Sequence, residues 1–275
     1  MGRHVMECLG LSRVVIEDGV VTEVTEPKVK YCPLFEKYRG IEELNRDTVR
    51  ENIEYRIETF GMCTDRRETR MKDCISLGIS EILSLALQQK SIDAAVIAAD
   101  GCGTCVITDP EIVQGMGGRI SGICETEPIP SVVDAVGAGN MLDPETARID
   151  MEAGVDKAFG MGYGKVAVTT PSVASAVRIR GKYGDRVVLM GVHTTGMTEE
   201  DARKAFDAFD VITACASKHL REECSRRPDT LIAGCKVPIY GVTDIGKRLV
   251  LAKLEQLDRT PTDPSERQNP PKPLI

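Results

Sequence analysis

The sequence predicts an α/β fold whose larger part is a parallel β-sheet flanked by helices. From residue 92 onward, five short apolar runs alternate with segments of helical character. Such runs, apolar at nearly every position, are typical of strands buried on both faces of a sheet. Strands that alternate with single helices form βαβ units, which place successive strands parallel to one another. We therefore expect a Rossmann-like sheet, preceded by a smaller N-terminal α+β domain.

The expected N-terminal domain covers residues 1–90 and combines a hairpin with helices. Asp18 and Gly19 separate two β-branched runs, and this pair is a strong hairpin signal. Asn45 precedes a stretch in which apolar residues recur on one helical face, so we expect it to cap a helix. The predicted elements of this domain are a hairpin over residues 12–25 and helices over residues 46–59 and 73–89.

The expected larger domain covers residues 91–258 and is followed by a tail of different composition. Residues 101–164 are rich in glycine and separate the first strand from the second. The tail, residues 259–275, contains five prolines and few apolar residues, so we expect it to be disordered. The predicted strands are residues 93–99, 165–170, 186–193, 210–214 and 230–235, and the predicted helices are residues 143–159, 171–183, 198–208, 217–227 and 244–257.

Composition argues against two classes of partner. The net charge is −7 and lysines and arginines do not cluster, whereas binding to a phosphate backbone requires such clusters. Aromatic residues make up only 4% of the chain, which leaves few platforms for stacking bases. No apolar run approaches the roughly 20 residues of a membrane-spanning helix, and the charged start of the chain does not resemble a signal peptide. We expect a cytoplasmic protein that binds a small molecule, with no nucleic-acid or membrane partner.

Four predicted strands end in small or hydroxyl-bearing residues, a composition expected at a ligand site. In a parallel sheet, ligands bind beyond the carboxyl ends of the strands, where the strand order reverses. Glycines let backbone N–H groups approach a ligand, and hydroxyls can hydrogen-bond a ribose or a carboxylate. Turns and helix caps also favour these residue types, so one strand end alone indicates little. The candidate cofactor-binding residues at these ends are Gly101, Gly103, Thr104, Thr169, Thr170, Thr194, Thr195 and Cys215.

Nucleotide-binding motifs are missing from the glycine-rich segment. Gly-x-Gly occurs at residues 101–103, 115–117 and 137–139, but none of these continues as the dinucleotide-binding fingerprint. The phosphate-binding pattern that ends in Gly-Lys-Ser/Thr is also absent. These observations argue against an NAD-dependent or ATP-hydrolysing enzyme.

The cysteines offer a second kind of site. The chain has ten of them, and a reducing compartment disfavours structural disulfides. Cys102 and Cys105 form a Cys-x-x-Cys pair, a spacing that lets two thiolates face one metal ion or act as a redox pair. Cys32 and Cys63 could complete a set of four ligands for an iron–sulfur cluster or zinc, with Cys124 as a further candidate. The second Cys-x-x-Cys of a zinc ribbon is missing, and inert buried thiols are the alternative.

His193 is the candidate catalytic residue, because it follows a predicted strand and would face the expected ligand edge. A histidine there could orient a substrate or move a proton, and a capping or packing role is the alternative. We expect His4 to be exposed and His219 to lie on a polar helix face. Three carboxylates that flank the glycine-rich segment could contact an amine or a ribose; they are Glu111, Glu125 and Glu127.

Four segments carry a resemblance to a known family. They are residues 31–35 (Tyr-Cys-Pro-Leu-Phe), 60–64 (Phe-Gly-Met-Cys-Thr), 100–104 (Asp-Gly-Cys-Gly-Thr) and 111–122 (Glu-Ile-Val-Gln-Gly-Met-Gly-Gly-Arg-Ile-Ser-Gly). With these motifs the chain resembles methanogenesis marker protein 8 of methanogenic archaea, from about His4 to Leu257. That family is similar to HcgC, the S-adenosylmethionine-dependent pyridinol methyltransferase that helps to build the iron–guanylylpyridinol cofactor of a hydrogenase.

The resemblance implies a Rossmann-like domain that holds S-adenosylmethionine at the strand ends, and an N-terminal domain that supports a homodimer. It adds Gln114, Gly117 and Arg119 to the candidate cofactor-binding residues. Cys102 and Cys105 stand where small apolar residues are usual in the relatives. This departure leaves open a metal-binding branch of the family.

Three functions follow from these alternatives. The first is a methyltransferase-like protein that binds S-adenosylmethionine and acts in the biosynthesis or maturation of a methanogenesis cofactor or enzyme. The second is an accessory protein that carries a cysteine-ligated iron–sulfur cluster or metal and has no methyltransferase activity. The third is a binding protein for a nucleotide-like metabolite, without turnover.

Overall fold

Two β-sheets and the helices around them make up residues 2–72, 77–263 and 269–275, the part of the chain that the computed structural model describes. The strands are β1 (Arg3–Cys8), β2 (Ser12–Glu17), β3 (Val20–Val24), β4 (Ala94–Ala99), β5 (Gly103–Ile107), β6 (Gly122–Glu125), β7 (Val166–Thr170), β8 (Val187–Gly191), β9 (Val211–Thr213), β10 (Leu231–Ala233) and β11 (Ile239–Gly241). The helices are α1 (Pro33–Arg39), α2 (Arg46–Phe60), α3 (Ile79–Gln88), α4 (Pro110–Gly118), α5 (Pro130–Val136), α6 (Met151–Gly160), α7 (Val173–Tyr183), α8 (Glu199–Ala208), α9 (Lys218–Ser225) and α10 (Asp244–Gln256).

The larger sheet has seven strands in the order β10-β11-β9-β8-β7-β4-β5. Its central strands β4, β7, β8 and β9 are parallel, as predicted. The prediction of a parallel sheet is wrong for both edges, because β5 pairs antiparallel with β4, and β11 and β10 also pair antiparallel with their neighbours. The fold is therefore mixed α/β. Sequence analysis took β5 for part of the glycine-rich segment, because only a tight turn separates it from β4.

Helices cover both faces of the larger sheet, and successive side chains along each strand point to opposite faces. In β8, Val187 and Leu189 belong to the apolar core shared with α6 to α9. Val188 and Met190 point the other way and belong to the core shared with α3, α4, α5 and α10. This alternation follows from the two-residue repeat of a strand, and it buries β8 on both sides.

The smaller sheet has four antiparallel strands in the order β3-β2-β1-β6 and packs against α2. Its β2–β3 hairpin turns at Asp18 and Gly19, as predicted. Asn45 caps α2 by accepting the backbone N–H groups of Asp47 and Thr48, which confirms the predicted cap. The strand β6 comes from residues 122–125, so this sheet includes a segment from beyond the boundary expected at residue 90.

A buried ion pair connects the segment after α2 to the turn after β4. The Arg67 Nε donates to Asp100 Oδ2 at 3.0 Å, and both side chains are fully buried. Asp100 also accepts the backbone N–H of Cys63 at 2.7 Å, and Arg67 Nη2 donates to the Gly115 carbonyl at 3.2 Å. These two residues therefore join three segments that are distant in sequence.

His4 is fully buried in β1, so the expectation that it is exposed was wrong. Its Nδ1 lies 2.7 Å from the Thr126 hydroxyl, whereas its Nε2 has no hydrogen-bond partner among the described residues. Burial lowers the pKa of His4, although the carboxylates of Asp100 and Glu127 oppose this effect. A buried neutral histidine of this kind makes stability depend on pH.

We expect the free energy of unfolding to decrease as the pH is lowered from 7 towards 5. The unfolded chain takes up a proton near the ordinary histidine pKa of 6.5, whereas His4 of the folded chain takes it up only at a lower pH. His4 should contribute a slope of up to about 1.4 kcal/mol per pH unit. Denaturant unfolding of the wild type and of His4→Gln measures this contribution as the difference between two pH profiles. If the free energy of unfolding of the wild type and that of His4→Gln changed with pH by the same slope, the prediction would be contradicted.

The end of the chain pairs with the folded body. Lys272 forms an isolated bridge with Tyr31, the Ile275 N–H donates to the Ala216 carbonyl at 2.9 Å, and the Lys218 N–H donates to the Ile275 carbonyl at 3.0 Å. The prediction that residues 259–275 are disordered is therefore wrong for the residues that form these backbone contacts. Residues 264–268 of that prediction, and residues 73–76 of the predicted second helix, lie outside the described residues.

No helix in the described part of the chain is long and apolar enough to cross a membrane.

Candidate functional site

A cavity of about 790 Å³ lies between the two sheets. Its floor is formed by the carboxyl ends of β4, β7 and β8, its walls by α3 and α4, and its roof by β1 and β6. Ligand pockets for small molecules have volumes of roughly 300–1,000 Å³. The cavity is therefore large enough for a ligand of this kind, and it lies at the edge of the sheet where the sequence predicts a site.

The origin of this cavity differs from the expected one. In dinucleotide-binding sheets the crevice forms where the strand order reverses. Here the parallel strands follow one another as β4-β7-β8-β9 without a reversal. The cavity exists instead because the smaller sheet lies across the strand ends and leaves space above them.

The lining of the cavity is mainly apolar, with a few polar groups. Such a lining is typical of small-molecule sites, in which a small number of polar groups orient the ligand. Hydroxyls reach the cavity from both sheets and from α3, and charged or titratable side chains reach it from the floor and the roof. The apolar residues include Ile79, Leu83, Ile97, Val113, Ile120 and Ile123, and the polar ones include Glu7, Lys28, Ser80, Ser121, Cys124, Thr169, His193 and Thr195.

His193 follows β8 directly and reaches across the cavity to the roof. Its backbone has a φ of 53°, a conformation that is unfavourable for a residue with a side chain and is often found at functional sites. A Cβ added to Gly122 of β6 would lie 3.5 Å from the Cγ of His193, so the ring lies against the roof. No group in the described part of the chain forms a hydrogen bond with this ring.

The protonation state of His193 follows from its surroundings. His193 is exposed towards the cavity, and the protein groups around the cavity displace part of the water that would otherwise hydrate its ring. This desolvation lowers the pKa of His193 below its ordinary value of 6.5. The ring is therefore neutral at pH 7 and can accept a proton from a group inside the cavity.

Four of the predicted cofactor-binding and catalytic residues line the cavity: Gly117, Thr169, Thr195 and His193. Thr194 lines an adjoining cleft of about 270 Å³, which shares His193 and Thr195 with the cavity. The other predicted cofactor-binding residues lie outside the cavity; they are Gly101, Gly103, Thr104, Gln114, Arg119, Thr170 and Cys215.

The glycines of the β4–β5 turn are in contact with protein. A Cβ added to Gly101 would lie 2.8 Å from the Cβ of Ile129, and one added to Gly103 would lie 2.0 Å from the Ala147 carbonyl oxygen. The Gly101 N–H donates to the Thr126 hydroxyl at 2.9 Å. These glycines therefore allow close packing of the hairpin, which is the alternative explanation of a glycine-rich turn.

Replacing Gly103 by alanine is expected to destabilise the protein by at least about 1–3 kcal/mol, because the new methyl group overlaps a backbone carbonyl. The positive φ of 59° adds to this cost. Gly139→Ala is the matched control, since a Cβ there meets no atom within 4 Å. Urea unfolding of the three proteins measures the effect. Equal midpoints for Gly103→Ala and the wild type would disprove the close contact.

Other predicted residues are occupied by hydrogen bonds within the protein. Gln114 Nε2 donates to Glu81 Oε1 at 3.1 Å. Arg119 forms an ion pair with Glu68 at 2.5 Å. The Thr170 hydroxyl accepts a backbone N–H within its own turn, at 3.1 Å. Glu111 and Glu125, two of the three flanking carboxylates, form ion pairs with arginines outside the cavity.

The four candidate cysteine ligands do not meet at one point. The Sγ atoms of Cys102 and Cys105 are 3.7 Å apart and both residues are fully buried. The hydrogen bond with Cys105 and burial raise the pKa of the Cys102 thiol well above its ordinary value, which keeps it protonated. Cys63 lies beside Asp100, and Cys32 lies at the start of α1. Within the described residues, no three His, Cys, Asp or Glu side chains converge as a metal site would require.

Glu7 and Lys28 of the roof were not predicted from the sequence, and Cys124 was named only as a further candidate metal ligand. Glu7 on β1 pairs with Gly122 on β6, and Lys28 and Cys124 also face the cavity from this side. Burial raises the pKa of the Glu7 carboxyl, and the nearby Lys28 has the opposite effect. One signal was present in the sequence: Glu7 is a charged residue between Met6 and Cys8, both of which are buried in the structure.

Residues 4–255 match the model of a protein family described as "Uncharacterized protein conserved in archaea (DUF2099)". The chain belongs to this archaeal family. A protein of Methanocaldococcus jannaschii, named Uncharacterized protein MJ0054, is 44% identical over 284 residues, and the alignment covers 100% of both chains. No solved structure matches the chain.

The region shared with the archaeal family contains almost the whole site. The matched residues begin in β1 and end one residue before the end of α10. Both sheets, except Arg3, and the cavity residues from Glu7 to Gly196 lie within it, and among the described lining residues Ile275 alone lies outside it. The cavity is therefore built from the part of the chain that defines the family.

Proposed function

We propose that this member of the archaeal family binds S-adenosylmethionine in the cavity between the sheets and transfers its methyl group to a small acceptor. The observation that carries the proposal is a large, mainly apolar cavity at the ends of parallel strands, lined by a neutral histidine that has no hydrogen-bond partner among the described residues. The resemblance to methanogenesis marker protein 8, and through it to HcgC, supports the same chemistry. This resemblance also implies that the parallel strands belong to a Rossmann-like domain. It implies in addition that the methyl acceptor is a precursor of a methanogenesis cofactor.

The cavity residues suit the nucleoside part of such a cosubstrate. Ile97 and Val113 offer apolar contact to a flat base, and the hydroxyls of Ser121 and Thr169 can hydrogen-bond a ribose. A volume of about 790 Å³ lies in the upper part of the range for small-molecule sites. Space therefore remains for an acceptor beside the nucleoside.

His193 would receive the proton that the acceptor loses. When bound, S-adenosylmethionine supplies a methyl group on a sulfonium, whose carbon–sulfur bond breaks with its electron pair on sulfur while a new bond forms to an acceptor oxygen or nitrogen. The neutral ring of His193 can take up the proton of that oxygen or nitrogen. The strand ends that hold His193 and Thr169 position both reactants, and much of the rate in such a transfer comes from positioning.

Isothermal titration with S-adenosylmethionine tests the proposal on two matched variants. Gly117 faces the cavity from α4, and a leucine there would fill part of it. Gly160 also lies in a helix, but a Cβ there meets no atom within 4 Å. We expect Gly117→Leu to weaken binding at least about tenfold, or 1.4 kcal/mol, and Gly160→Leu to leave it unchanged.

Absence of both heat and a thermal shift at saturating S-adenosylmethionine would disprove the proposal. Equal affinity in Gly117→Leu and the wild type would show that the compound binds elsewhere. Thermal unfolding of both variants without ligand checks that they are folded.

A second function, a cysteine-ligated metal or iron–sulfur accessory protein, is favoured by one observation. The 3.7 Å separation of the Cys102 and Cys105 sulfurs places two thiols where they could face one ion. Iron and zinc analysis after anaerobic purification tests this function. A metal-free, colourless protein would exclude it.

A further inference from the structure

Two opposite charges face the cavity from the roof, and neither has a partner in the part of the chain that the structure describes. Glu7 projects from β1, and Lys28 lies after β3. Neither side chain forms an ion pair or a side-chain hydrogen bond with another described residue. The nearby Lys30, in contrast, forms an ion pair with Glu26.

The backbone holds these two residues close to each other and to the reaction centre. The Lys28 N–H donates to the carbonyl of Gly10, two residues after β1, at 2.8 Å. Glu7 pairs with Gly122, and the ring of His193 lies against that glycine. Lys28 is near enough to favour the charged form of Glu7 and so to lower its pKa, against the effect of burial.

The pair selects a particular class of ligand group. Glu7 and Lys28 are both exposed and face the cavity without an ion-pair partner among the described residues, so a ligand that supplies the complementary charges forms charge-assisted hydrogen bonds there and gains affinity. A phosphate would be attracted by Lys28 but repelled by Glu7. A simple cation would be attracted by Glu7 but repelled by Lys28. A zwitterion, with a cationic and an anionic group on one carbon, complements both side chains.

We propose that Glu7 and Lys28 form a subsite for an α-amino-acid group, in which Glu7 binds the ammonium and Lys28 binds the carboxylate. This inference rests on the proposed function, because S-adenosylmethionine carries such a group at one end. It assigns the recognition of that end to Glu7 of the smaller sheet and to Lys28 of the segment that follows β3. The nucleoside then extends along the apolar walls, and the sulfonium lies on the His193 side of the cavity.

Titration with two thioethers tests the subsite on the full chain. S-Adenosylhomocysteine carries the amino-acid group, and 5′-deoxy-5′-methylthioadenosine has the same nucleoside without it. We expect the wild type to bind the first compound at least about tenfold more tightly than the second. Lys28→Met and Glu7→Gln should each weaken binding of S-adenosylhomocysteine at least about tenfold and leave binding of the truncated compound unchanged.

Matched controls come from exposed residues of the same sheet region. Lys30→Met and Glu23→Gln make the same chemical changes at side chains that lie outside the cavity and form surface ion pairs. Both should bind the two thioethers as the wild type does. Thermal unfolding of all four variants confirms folding, which is expected because neither Glu7 nor Lys28 has a partner to lose.

The outcomes separate this inference from the proposed function. If the wild type binds both thioethers equally, or if the variants lose affinity for both alike, the amino-acid subsite is wrong while nucleoside binding stands. If neither thioether binds to the wild type, the proposed function fails and the subsite fails with it. Selective loss of S-adenosylhomocysteine binding in Lys28→Met and Glu7→Gln supports both the amino-acid subsite and the proposed function.

Discussion

Replacing His193 by glutamine is expected to lower kcat for methyl transfer about 10²–10⁴-fold and to leave the affinity for S-adenosylhomocysteine almost unchanged. Glutamine keeps a polar side chain of similar length, but it cannot accept the proton that the acceptor loses. Release of S-adenosylhomocysteine in the presence of a small-molecule extract from a methanogenic archaeon measures the rate. The affinity is measured by titration on the same preparations.

The pH profile of the wild type provides an independent check on His193. Desolvation lowers the pKa of this residue from its ordinary value of 6.5, so the base stays neutral to a lower pH than an ordinary histidine would. We expect kcat/KM to be constant from pH 8 to 7 and to decrease at lower pH, where the ring takes up a proton. His193→Gln should lack this acidic limb.

His219→Gln is the matched control for the same substitution. His219 lies on α9, outside the cavity, with its Nδ1 3.0 Å from Glu222 Oε2. This variant should keep the rate of the wild type. An equal loss of rate in both variants, or a wild-type rate in His193→Gln, would contradict the role assigned to His193.

Replacing Asp100 by asparagine is expected to destabilise the protein by about 3–5 kcal/mol. Asparagine still offers an oxygen to the Cys63 N–H, but the buried guanidinium of Arg67 is left without a counter-charge. Removing one partner of a buried pair leaves the other charge uncompensated in a medium of low polarity, which is the main source of the cost. Denaturant unfolding at pH 7 measures the change in the free energy of unfolding.

A surface ion pair provides the comparison. Glu200 and Lys204 pair across one turn of α8, with 67% and 51% of their side chains exposed. Glu200→Gln should change stability by less than about 1 kcal/mol, because water already solvates both charges. If Asp100→Asn were as mild as Glu200→Gln, the Arg67–Asp100 pair would not be a structural link between the segments.

The sequence predicted the elements whose signals are local. The β2–β3 hairpin, the Asn45 cap of α2 and the parallel strands β4, β7, β8 and β9 were all identified. Each depends on residues within about one element of one another, such as a turn pair, a cap or a short apolar run. The edge of the sheet that carries Thr169 and His193 was identified for the same reason, because strand ends can be read from the strands themselves.

Long-range pairing decided the rest. Met6 of β1 pairs with Ile123 of β6, more than a hundred positions away, and no local pattern records that contact. The pairing places Glu7 and Gly122 over the strand ends, so it determines both the roof of the cavity and the charges within it. The same limitation explains why the turn glycines Gly101 and Gly103 were assigned to a ligand site: whether a ligand or Ile129 and Ala147 occupy the adjacent space depends on how distant segments pack. The sequence by itself predicted the elements that have local signals and the sheet edge at which the cavity lies, and only the tertiary structure determined what encloses that cavity.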